Sequence, residues 1–134
     1  MKLSFPIGYL ADRYGIEKAL SLVKEAGFDA IDYDLCSMEK ADSVFRGDRW
    51  REEAERIRAL ADAAGIVINQ THAPFHFTAA QWEDHDLILG IFSRYIRISG
   101  ILGASVAVIH PLHQFVYEGH ARRSSRRTWR TTVS

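Results

Sequence analysis

Apolar residues recur at helical spacing in three stretches of the chain. The first stripe occupies one helix face at the i, i+3, i+4 and i+7 positions and predicts a helix over residues 16–26. A second helix is predicted over residues 50–64, and a longer third one over residues 78–102, opening with Thr78 and Gln81 at the spacing of a capping box. The three stripes are Ile16, Ala19, Leu20 and Val23; Trp50, Ala54, Ile57, Ala61 and Ala64; and Ile88, Ile91, Phe92, Tyr95 and Leu102.

Short runs rich in β-branched and aromatic residues separate these helices. They cover residues 3–7, 30–35, 66–71 and 105–109, and each is predicted to be a strand. The last two are almost continuously apolar, which is typical of parallel strands covered by helices. The pattern therefore predicts an α/β protein with parallel strands in the order βαβαβαβ.

The predicted units repeat with a constant period. Each helix ends at a glycine, and Gly27, Gly65 and Gly103 are 38 residues apart. Glycine in this position accepts the left-handed conformation that closes a helix. Seven residues after each glycine, at the end of the next predicted strand, the chain has Asp34, His72 and His110. Because equivalent strand positions point to one side of a sheet, we expect these three to share one edge.

A repeated βα unit suits a (βα)8 barrel or a doubly wound sheet, and both place their sites at the C-terminal ends of the strands. No G-x-G-x-x-G or Walker motif follows the first strand, which favours the barrel. A barrel of this kind takes about 250 residues. The 134 residues here are therefore expected to form a partial, half TIM barrel within residues 1–120.

Charge and cysteine content narrow the function classes. Residues 1–120 contain 12 Lys and Arg and all 17 Asp and Glu, a net charge of −5, which argues against binding to a nucleic-acid backbone. Cys36 is the sole cysteine, so no intramolecular disulfide is expected and a reducing compartment is favoured. With neither a secretory signal nor a membrane-spanning apolar stretch, the expectation is a cytoplasmic protein without a membrane partner.

Two segments after the third and fourth strands resemble a known family. They are Thr71-His72-Ala73-Pro74-Phe75 and Val108-Ile109-His110-Pro111-Leu112-His113, and residues 26–32 add to the likeness. The chain resembles the xylose-isomerase-like barrel superfamily over residues 1–120. That superfamily contains sugar and sugar-phosphate isomerases and epimerases, and also metal-dependent endonucleases that cut DNA at abasic sites.

The resemblance implies roles for particular residues. His72 and His110 match histidines that bind metal in the endonucleases and line the substrate pocket in many isomerase-like members. Asp34 is added as a metal ligand on its spacing alone, and His113 and Tyr9 are further candidates for substrate binding. The metal would be divalent: Zn, Mn, Mg or Co. The family's principal metal ligands and acid/base carboxylates come from its last four strands, so we expect catalysis to be incomplete here.

Residues 121–134 depart from the pattern, with five Arg, no acidic residue and no apolar stripe. Such a tail is also compatible with a nuclear signal, a phosphorylation site or a nucleic-acid-binding arm. Our hypothesis is a non-native reading frame or disorder, because one permitted codon choice for residues 122–130, read from its third base, encodes Ala-Glu-Leu-Ser-Glu-Asp-Val. That sequence would suit a helix.

The leading functional hypothesis is a sugar or sugar-phosphate isomerase/epimerase-like protein whose partner is a small sugar or polyol. The first alternative is a non-catalytic half-barrel that forms a homo-oligomer, because a sheet covered on one face would expose apolar residues on the other, for example Ile66, Ile68, Val106 and Val108 or the residues that alternate with them. The second alternative is an abasic-site endonuclease-like protein, which the acidic body disfavours.

Overall fold

The computed structural model describes residues 3–110, which form one four-stranded sheet with helices between the strands. The strands are β1 (Ser4–Pro6), β2 (Ala30–Asp34), β3 (Val67–His72) and β4 (Val106–Val108). All three strand pairings are parallel, and the strands lie in chain order across the sheet. The predicted parallel α/β architecture is confirmed for this part of the chain. His113 and the tail at residues 121–134 lie outside the described residues.

The helical segments are more numerous than the sequence pattern predicted. They are α1 (Gly8–Tyr14), α2 (Ile16–Glu25), a short 3-10 helix (Cys36–Glu39), α3 (Trp50–Ala64), α4 (Ala79–Glu83) and α5 (His85–Leu102). The predicted capping box of Thr78 and Gln81 is present. The third predicted helix is nevertheless two helices, because Asp84 leaves helical geometry and its carboxylate caps α5 by accepting from Leu87 N.

The repeated glycines have the conformation that the sequence pattern predicted. Gly27, Gly65 and Gly103 have φ angles of 86°, 64° and 75°. Gly65 and Gly103 are left-handed caps at the ends of α3 and α5. Each βα unit therefore closes in the same way, with the chain turning from a helix into the following strand.

The core lies between the helices and one face of the sheet. Ile31 and Ile68 on that face are buried with Leu20, Ile57 and Ile98 from α2, α3 and α5. Of the residues named for the opposite face, Ile66 and Ile68 are buried against the helices, and it is the alternating Val67 that is exposed. The open face instead combines Asp32, Asp34, Gln70 and His72 with Val67 and Val106.

A buried hydroxyl network fastens β3 and β4 to α5. The Tyr95 hydroxyl lies 3.1 Å from Thr71 Oγ1 and donates towards the main-chain oxygens of Thr71 and Val108. Thr71 Oγ1 also lies 2.8 Å from Ser99 Oγ. Because the network reaches both strands just before the C-terminal edge, it fixes the residues that follow them. No helix between residues 3 and 110 has the length and apolar character needed to cross a membrane.

Candidate functional site at the C-terminal edge of the sheet

An aspartate and a histidine from neighbouring strands form the centre of the candidate site. His72 Nδ1 lies 2.9 Å from Oδ1 and 2.8 Å from Oδ2 of Asp32. Gln70 Nε2 donates to the same carboxylate at 2.9 Å. Since an ionised carboxylate only accepts hydrogen bonds, Nδ1 of the neutral imidazole carries the proton and Nε2 keeps a lone pair. The pair is half-buried at the open face.

A β-bulge aims this histidine at the open face. Ile31 pairs with Ile68, but Asp32 pairs with Gln70, so β3 has one additional residue, Asn69. The pattern of buried residues along β3 changes at the bulge. Before it, the buried residues that face the helices are Ile66 and Ile68, and after it they are Thr71 and Ala73. Simple alternation would have turned His72 towards the helices.

Two aromatic rings continue the site beyond the strand end. The imidazoles of His72 and His110 stack with centroids 5.5 Å apart and an interplanar angle of 19°. The Phe75 ring lies 4.6 Å from the His110 ring. His72 and His110 therefore lie close together, as predicted, and with Phe75 their rings form one side of the site.

Asp34, the third residue of the predicted edge, has different partners. It is the register partner of His72, but its Oδ1 accepts a hydrogen bond from Cys36 N at 3.3 Å. A side chain at Gly8 would collide with its carboxylate, so α1 begins directly against it. Asp34 therefore lies with the loop after β2, and it shares a cavity of about 240 Å³ with Tyr33, Cys36 and Glu39.

Tyr9, the remaining described candidate for substrate binding, is 71% exposed on α1. Its hydroxyl accepts a hydrogen bond from Arg13 Nη1 at 3.4 Å, and it is not among the residues that line the cavity at Asp34. Its role in binding stays a prediction, as does that of His113.

Glu39 ties the loops after β2 and β3 together. Its Oε1 accepts hydrogen bonds from Phe75 N at 2.8 Å and His76 N at 2.7 Å, and lies 3.4 Å from His76 Nδ1. Burial, together with the carboxylates of Asp34 and Glu39, raises the pKa of the Cys36 thiol to about 12. The thiol is therefore protonated at neutral pH.

The geometry bears on where a divalent metal would fit. Among residues 3–110, the group of His, Cys, Asp and Glu side chains whose donor atoms lie within 4.8 Å of one another is Cys36, Glu39 and His76. The donor atoms of Asp34, His72 and His110 are not gathered in this way. The two stacked rings also direct their lone pairs within nearly parallel planes, which does not favour one shared ion.

Sequence reasoning missed Asp32, Gln70, Glu39 and Phe75. The alternation of Asp32 and Asp34 along β2 was a usable signal, because both carboxylates occupy one face of a strand. Glu39 had no such signal, since its role depends on a contact between loops 36 residues apart.

Comparison of the chain with protein-family models, with curated proteins and with solved structures finds no match.

Proposed function

We propose that residues 3–110 correspond to the first three βα units and the fourth strand of a xylose-isomerase-like barrel. The order β1-β2-β3-β4 supports this, because a barrel adds its parallel strands in sequence whereas a doubly wound sheet reverses at a switch point. Helices cover one face, and polar side chains occupy the other near the C-terminal ends of the strands.

The proposed ligand is a small sugar or sugar phosphate, bound at the C-terminal edge of the sheet. The observation that carries this proposal is the bond from His72 to Asp32, which orients the imidazole and leaves Nε2 to accept a hydrogen bond from a sugar hydroxyl. The rings of His110 and Phe75 offer an apolar surface for the C–H groups of the sugar.

The proposed reaction class is isomerisation or epimerisation, in which a proton moves to or from a carbon next to a carbonyl group. An imidazole oriented by a carboxylate can act as a general base. Because the donor atoms of Asp34, His72 and His110 do not gather, no step here depends on a metal at these residues.

The test is hydrogen exchange in a panel of aldoses, ketoses and their phosphates in deuterated water, followed by proton NMR. We expect the chain to bind at least one of them, and exchange of a carbon-bound proton would identify the reaction. His72→Ala should lower binding by at least about tenfold. His85→Ala, at an exposed position opening α5, is the matched control. Equal binding by the two variants, or no binding by either, would contradict the proposal.

A second candidate function, self-association, is favoured by the exposed apolar residues of the open face. Val67 and Val106 are 48% and 49% exposed there, and the face runs between the edge strands β1 and β4 of the described sheet. We propose that a second copy of the chain covers this face. The edge strand β1 of one copy could then lie beside the edge strand β4 of the other, at both ends of the sheet. Light scattering should show a dimer that Val106→Lys dissociates and Val44→Lys, on a loop, leaves intact. A monomeric unmodified chain would contradict it.

A further inference from the structure

Three potential metal ligands meet where the loops after β2 and β3 touch. Cys36 and Glu39 are the first and last residues of the 3-10 helix, and His76 belongs to the segment after β3. A 3-10 helix has three residues per turn, so residues three apart lie above one another on the same side. The thiol and the carboxylate are thereby presented together.

The third ligand is brought to them by main-chain hydrogen bonds. Glu39 Oε1 holds the backbone nitrogens of Phe75 and His76 at 2.8 and 2.7 Å. These hydrogen bonds fix the position of the His76 backbone beside Glu39. The Nδ1 atom of His76 lies 3.4 Å from the same oxygen. One sulfur, one oxygen and one nitrogen donor therefore lie within 4.8 Å of one another.

We propose that Cys36, Glu39 and His76 form a binding site for a zinc ion, separate from the edge at His72. Donor atoms around tetrahedral zinc are about 3.3–3.8 Å apart, as follows from bonds of about 2.0–2.3 Å. The observed spacing of up to 4.8 Å must therefore contract by about 1 Å. The His76 side chain, which is 67% exposed and packs against the Phe75 ring at 3.9 Å, is the ligand with most room to move.

The donor set selects the metal. A thiolate and an imidazole favour zinc over magnesium or calcium, which prefer oxygen ligands. The nearby Asp34 carboxylate, which accepts from Cys36 N, adds negative charge that attracts a cation. Binding the ion would displace the thiol proton.

The site would leave one coordination position open. Three protein ligands and an exchangeable water are typical of a catalytic rather than a structural zinc site. Cys36 and Glu39 also line the 240 Å³ cavity, so a small molecule could reach the ion from there. This inference does not rest on the proposed sugar binding, because neither His72 nor Asp32 is a ligand. The two sites are neighbours through Phe75, whose ring lies 3.9 Å from the His76 ring.

The test is metal titration of the full chain after chelator treatment, with a chromogenic zinc indicator as competitor and Co²⁺ as a spectroscopic probe. We expect one zinc per chain and a thiolate-to-cobalt charge-transfer band. Cys36→Ser should remove that band, and His76→Ala should weaken zinc binding by at least about tenfold. His76 is 67% exposed, so its substitution is not expected to disturb folding.

His72→Ala and His85→Ala are the matched controls, and both should keep the band and the affinity. Absence of the band in the unmodified chain, or unchanged zinc affinity in His76→Ala, would overturn the proposal. Loss of binding in His72→Ala with full binding in Cys36→Ser would also overturn it, and would place the metal at the predicted His72 and His110 instead.

Discussion

The imidazole of His72 is hydrogen-bonded to Asp32, although the register partner of His72 on β2 is Asp34, two residues further along the strand. Asp32 and Asp34 lie on the same face of β2. Asp34 is directly opposite His72 in the sheet, but its carboxylate accepts a hydrogen bond from Cys36 N instead. Asp32 can accept from both His72 and Gln70, so a single carboxylate satisfies two half-buried donors.

Replacing Asp32 should therefore destabilise the fold as well as disturb the site. Asp32→Ala leaves His72 Nδ1 and Gln70 Nε2 without their acceptor, at a cost of about 1–3 kcal/mol. Urea unfolding followed by circular dichroism measures this change. Asp42→Ala, at an exposed loop position, should stay within about 0.5 kcal/mol. Equal stability of the two variants would show that the Asp32 bonds contribute little.

Sequence periodicity predicted the strands, their direction and the glycine caps, because each depends on nearby residues. It also grouped His72 with His110 by their common offset in the repeat. The bulge at Asn69 was not predictable in this way, since a single additional residue in β3 reverses the side of every later residue. The choice of Asp32 over Asp34 depends on that reversal and on contacts between loops.

The hydroxyl of Tyr95 should contribute measurably to stability. It is fully buried and reaches Thr71 and Val108, so Tyr95→Phe leaves their buried polar groups short of a partner. The expected loss is about 1–3 kcal/mol in the free energy of unfolding. Tyr9→Phe removes an exposed hydroxyl and should be neutral within about 0.5 kcal/mol. A neutral Tyr95→Phe would contradict the described network.

The repeated glycine caps make a paired prediction of opposite sign. Gly65 has a φ of 64°, so Gly65→Ala forces an alanine into the left-handed region and should destabilise by about 1 kcal/mol. Gly100 lies inside α5 with open space around the position of an added Cβ, so Gly100→Ala should stabilise by about 0.5–1 kcal/mol. Thermal unfolding of both variants checks the signs, and unchanged or raised stability of Gly65→Ala would contradict the left-handed cap at the end of α3.

The thiol of Cys36 should be poorly reactive in the metal-free protein. Its pKa is raised from an ordinary value of 9.0 to about 12, first by burial and then by the carboxylates of Asp34 and Glu39. Iodoacetamide should therefore alkylate it at least about tenfold more slowly than in urea at neutral pH, since only the thiolate reacts. Because the pKa of the thiol is higher in the folded protein than in the unfolded chain, the thiol favours folding at pH values below about 9. This contribution to stability is lost as the pH rises from about 9 to about 12. Equal rates would contradict the described burial.

The most direct test of the proposed sugar site is a nitrogen–proton NMR correlation spectrum of the His72 ring, recorded without and with the ligand found in the exchange screen. The bond to Asp32 predicts a proton on Nδ1 in the neutral ring and a resonance shift at Nε2 when a sugar hydroxyl binds there. His85 should show no such shift. A proton on Nε2, or a His72 spectrum unaffected by saturating ligand, would contradict the account.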